Sequence, residues 1–151
     1  MSGKRQLIPI TGLLVTMVIA TYMVVQIAGQ GTPAPTGNFT NATLAEVRDG
    51  QGRVVLQGQF IQSDEDDDDV ERKAALKSTV GADAMGEAEV EFAKSAPAIQ
   101  EIEFSVRGLQ AGAPFTFVID GQEVATATTD QRGRAEVELD VKLPGTSGAR
   151  Q

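Results

Sequence analysis

The chain has 151 residues, with no His, no Cys, no Trp and one Tyr. Without Cys there is no disulfide, thiol nucleophile or iron–sulfur ligand, and without His no Ser-His-Asp triad, haem-binding histidine or ordinary zinc site. Lys+Arg number 13 against 21 Asp+Glu, a net charge of −8; such a chain repels phosphate backbones, so no nucleic-acid partner is expected, while cations or a basic protein surface are attracted.

Residues 1–6 form a short basic N-terminus carrying Lys4 and Arg5. Residues 7–29, LIPITGLLVTMVIATYMVVQIAG, contain no charged side chain. As a helix rising ~1.5 Å per residue this run spans about 34 Å, enough to cross a hydrocarbon core of about 30 Å. Pro9 and Gly12 lie near its start, where a lost amide donor does least harm. After Arg5 the next charge is Glu46. The charge asymmetry places the N-terminus in the cytoplasm and the acidic body outside. The competing reading is a cleaved signal peptide that releases a secreted domain beginning near Gln30, although bulky Ile27 is a poor −3 residue for cleavage.

Residues 30–43, QGTPAPTGNFTNAT, are uncharged and rich in Gly, Pro, Thr and Asn, the composition of an extended spacer. Asn38-Phe39-Thr40 and Asn41-Ala42-Thr43 both match the short N-glycosylation acceptor pattern.

From residue 44 the hydrophobic period changes to two. Val54, Leu56, Gly58 and Phe60 alternate with Val55, Gln57 and Gln59; Ile102, Phe104 and Val106 alternate with Glu103, Ser105 and Arg107. Phe115, Phe117 and Ile119 alternate with Thr116, Val118 and Asp120; Val137, Leu139 and Val141 alternate with Glu136, Glu138 and Asp140. One face buried and one wet is the pattern of an antiparallel sheet. Turn signals punctuate the runs: Asp49-Gly50-Gln51-Gly52, Asp120-Gly121 and Asp130-Gln131-Arg132-Gly133. The reading is eight strands over 44–48, 53–61, 70–79, 86–93, 99–107, 114–120, 123–129 and 134–143. It gives an all-β, antiparallel two-layer β-sandwich over 44–143, preceded by one transmembrane helix and followed by a flexible tail, 144–151. A short helix within AALKSTVGADAM is the competing local reading. Phe60, Phe92, Phe104, Phe115 and Phe117 fall on the inward register and are expected in the core.

The stretch 104–139, FSVRGLQAGAPFTFVIDGQEVATATTDQRGRAEVEL, resembles a hairpin pattern common in bacterial surface and secreted β-domains. The resemblance implies a β-sandwich outside the cytoplasm and carries no activity.

Two acidic features are candidates for function. The run Asp64, Glu65, Asp66, Asp67, Asp68 and Asp69 is expected at a loop tip, because neighbouring like charges disfavour a strand. It is a candidate calcium site, since Ca²⁺ takes six to eight oxygen ligands. Its spacing is not that of an EF-hand, and the plain alternative is a solvated loop. The second feature is a wet strand face. Glu87, Glu89 and Glu91, then Glu101 and Glu103, then Glu136, Glu138 and Asp140 each alternate with core residues. They form a candidate surface for a basic protein partner, or an exposed face that guards strand edges.

No enzyme is expected. A glycosidase pair of carboxylates would lack aromatic platforms, since Tyr22 lies in the apolar run and there is no Trp. The adjacent pairs Lys77/Ser78 and Lys94/Ser95 would point to opposite strand faces. No Gly-rich loop opens a helix for phosphate. The expected role is a non-catalytic interaction or structural module held at the membrane by residues 7–29. A calcium-binding module using residues 64–69 is the alternative, and calcium is the one cofactor it implies.

Overall fold

The computed structural model describes residues 35–143 apart from 66, 67, 82 and 96–98, and the backbone alone at 63–65. The expected membrane helix over 7–29 and the tail 144–151 lie outside the described residues. Among those described, no helix is long and apolar enough to cross a membrane.

The described chain is an antiparallel sheet of nine strands: β1 (Leu44–Asp49), β2 (Val54–Gln59), β3 (Ile61–Glu65), β4 (Asp69–Ser78), β5 (Met85–Ala93), β6 (Ile99–Arg107), β7 (Pro114–Ile119), β8 (Gln122–Thr128) and β9 (Ala135–Lys142). Their order is β8-β7-β1-β2-β4-β5-β6-β9, with β3 also paired to β4. In place of two stacked layers, one continuous sheet curls until it is nearly a barrel. Its edge strands β8 and β9, consecutive in sequence, approach each other without pairing. The interior shows the curl directly. Phe104 of β6 and Phe117 of β7, remote in the strand order, have ring centroids 5.0 Å apart at 58°, a tilted contact favoured by the ring quadrupoles.

Period-two alternation fills this interior. Ile102, Phe104 and Val106 of β6, Ala45 and Val47 of β1, and Ala88 and Val90 of β5 are buried. Each buried Val, Ile or Phe contributes about 1.5–3 kcal/mol through removal from water. The single expected strand over 53–61 is two, because the chain bends at Phe60. Up to Gln59 it pairs with β1; beyond, among the described residues, β3 pairs only with β4. Phe60 itself is buried and turns into the core at the bend. The AALKSTVGADAM segment is no helix: β4 runs through to Ser78, and its Ala74 and Leu76 are buried against Ala88 and Gly86 of β5.

The turns use one device twice. Asp49 Oδ1 accepts from the Gln51 and Arg53 amides, each at 3.0 Å. Asp130 Oδ1 accepts from the Arg132 and Arg134 amides at 2.7 and 2.9 Å. In both, the residue three after the Asp is a glycine at positive φ, Gly52 and Gly133, and the short carboxylate satisfies the amides the bend leaves over. At the third turn, Asp120 and Gly121 both have positive φ, 49° and 82°, as a two-residue type I′ hairpin requires.

Residues 35–43, assigned by composition to a spacer, are a packed strap. Phe39 and Ala42 belong to the core. The buried Gln100 side chain accepts from the Phe39 amide at 2.5 Å and donates to the Gly37 carbonyl at 3.1 Å. Gln122 donates to the Thr36 carbonyl, and Arg72 donates to the Ala42 carbonyl. The Asp120 carboxylate accepts from the Thr43 and Leu44 amides as the strap enters β1. The strap thus ties β6, β8 and β4 together at one end of the sheet. At the other end the 108–113 and 129–134 connections are joined by bonds from Leu109 N to Gly133 O and from Gly112 N to Thr129 O.

Candidate functional site

The eight carboxylates of the wet face lie on three adjacent strands, and the register sets them against one another. Glu89 opposes Glu103 and Glu91 opposes Glu101 across β5 and β6. Glu101 opposes Asp140, Glu103 opposes Glu138, and Ser105 opposes Glu136 across β6 and β9. On the other side Glu71 of β4 opposes Glu91, Lys73 opposes Glu89, and Ala75 opposes Glu87. Three parallel rows result: Glu71–Glu91–Glu101–Asp140, Lys73–Glu89–Glu103–Glu138 and Ala75–Glu87–Ser105–Glu136.

Directly opposed Cβ atoms stand about 4.5–5.5 Å apart, and two full charges at about 5 Å repel by about 0.8 kcal/mol even in water. The three rows contain five such like pairs. Lys73 is the cation in the rows, ion-paired with Glu71 and, at 3.3 Å, with Glu89. Partial burial and the neighbouring carboxylates Glu89, Glu136, Glu138 and Glu101 push the Glu103 carboxyl above its ordinary value. The same two causes, with Glu138, Glu91, Asp140 and Glu89 as neighbours, raise Glu101.

Sequence reasoning finds the eight acids but not Glu71 and Lys73, which complete the rows. Their signal lies in VERKAALKS, where Glu71, Lys73, Ala75 and Lys77 alternate with Val70, Arg72, Ala74 and Leu76. It also passes over Gln100, a polar residue on the inward register of Ile102, Phe104 and Val106. That position marks a side chain that must find partners inside, and the strap supplies them.

The ends of the acidic run lie in strands and not at the expected loop tip. Asp64 and Glu65 belong to β3, paired with Glu71 and Val70; Asp68 is in the bend, and Asp69 opens β4. The strands continue into the run because the β3–β4 ladder holds them there. Asp66 and Asp67 lie outside the described residues. Among the described residues no group of three acidic side chains is placed to hold a metal ion. A shallow open groove between β2 and β4, lined by Gln57, Gln59, Lys77, Ser78 and Thr79, presents amides, hydroxyls and one amine without paired carboxylates.

Comparison with family models, with curated proteins and with solved structures gives no match.

Proposed function

We propose that this protein is a membrane-anchored extracytoplasmic β-module whose acidic outer face binds a protein partner with a basic surface. The supporting observation is the register that lines up carboxylates of β5, β6 and β9 in two unbroken rows, Glu91–Glu101–Asp140 and Glu89–Glu103–Glu138. A surface that only needs solubility gains nothing from placing like charges opposite each other, since such pairs oppose folding. Incoming Lys or Arg side chains would relieve that repulsion, and the surrounding potential speeds their encounter. Residues 7–29 hold the module at the bilayer, so contacts of modest affinity are strengthened by confinement.

The test is fractionation of native cells, protease treatment from outside and cross-linking. The expected result is a full-length membrane species, its domain cut by external protease, cross-linked to a partner through a basic surface. A triple Glu89→Gln, Glu103→Gln, Glu138→Gln variant should stay in the membrane fraction and lose the cross-link. A partner retained by that variant overturns the acidic-face reading. A soluble species beginning near Gln30 overturns the anchor.

A further inference from the structure

We infer that the free edge of β9 takes up an added β-strand from a partner segment in which Lys or Arg alternates with β-branched residues. The inference rests on the acidic-face reading and adds the partner's backbone form. Among the described residues β9 pairs with β6 alone and approaches β8 across the seam of the curled sheet without pairing, so the edge facing that seam offers unpaired amides and carbonyls to a strand entering it. Such an edge is a template for strand addition, with main-chain bonds giving affinity and alternate side chains giving specificity.

The two faces of β9 define the incoming strand. On the outer face the three rows end at Glu136, Glu138 and Asp140, with no cation beside them on the β6 side. A cation at every second position of a new neighbour would stand about 5 Å from each. On the inner face Val137 and Val141 are buried while Leu139 is only partly covered. Apolar side chains at the intervening positions of the new strand would cover it. A second copy of this chain is a poor occupant: antiparallel β9–β9 pairing centred on Glu138 sets Glu138 on Glu138 and Glu136 on Asp140. The opposite edge, β8, exposes Glu123, Thr126 and Thr128 and has no comparable charge pattern.

The probes are two synthetic peptides of one composition added to the full-length chain in detergent. One alternates Lys with Val and Thr; the other groups its Lys in a block. Affinity is read by fluorescence anisotropy, and β9 by hydrogen exchange over residues 135–142. The expected result is at least about tenfold tighter binding of the alternating peptide (roughly 1.4 kcal/mol), with slowed exchange in 135–142. Glu138→Lys should abolish that preference. Equal binding of both peptides with unchanged β9 exchange overturns the edge inference while leaving the acidic face as a binding surface. Binding of neither peptide overturns both.

Discussion

Gly133 follows the Asp130 turn at φ 70°, and a Cβ built there would run into the Leu109 carbonyl oxygen. Two penalties therefore fall on one substitution. A left-handed backbone costs a non-glycine residue about 1–2 kcal/mol, and the displaced carbonyl belongs to a connection bonded to Gly133 itself. Gly133→Ala should lower unfolding free energy by more than about 2 kcal/mol in denaturant titration. Gly52, in the matching turn after Asp49, has nothing within reach of its Cβ. Gly52→Ala should therefore cost only the backbone share. Equal losses at the two sites would show that the packing against Leu109 contributes nothing.

The acidic rows make a prediction for β5, β6 and β9 together. Glu101 and Glu103 have raised proton affinity in the folded state, first through desolvation and then through their carboxylate neighbours. The folded form therefore binds protons more readily than the unfolded chain, and stability grows as pH falls from neutral toward the ordinary glutamate value of 4.5. Asp130 is shifted the other way, by the Arg134 and Arg132 amides and the charges of those residues. Its contribution is lost as pH falls below the ordinary aspartate value of 3.8. Melting temperature followed by circular dichroism should pass through a maximum at mildly acidic pH. The Glu103→Gln variant should be more stable than the parent at neutral pH and show a flatter acid rise. A monotonic fall in melting temperature on acidification would contradict the rows as a source of repulsion. The alternation that marks these strands is legible in the sequence, because each carries clean period-two patterning, as in IEFSV and VELDV. Their adjacency is not, since β9 joins β6 across β7 and β8, and no local signal encodes a non-sequential pairing. The break at Phe60 is hidden for a related reason: the residue keeps the inward phase, so the pattern runs unbroken through the bend.

Packing reaches back at least to Thr36, eight residues before the first strand, which redefines where the module can be cut. Composition conceals this, because Pro35, Gly37 and three Thr residues (36, 40 and 43) surround the one large apolar anchor, Phe39. Removing a buried Phe side chain costs about 3–5 kcal/mol, a large part of the usual 5–15 kcal/mol of a domain. A fragment starting at residue 35 should melt as one cooperative unit. One starting at residue 44 should be destabilised by at least that amount, with Gln100 left without its strap partners. Comparable melting temperatures for the two fragments would show the strap to be dispensable.

The strap also sets the height of the module above the bilayer. Gln122 holds the Thr36 carbonyl, so seven residue steps separate the sheet from Gly29, the end of the proposed anchor, at most about 25 Å of extended chain. On that proposal the domain would stay close to its root. Its acidic flank would then meet a partner whose basic segment enters the thin layer of solvent against the membrane, as a neighbour in the same bilayer does.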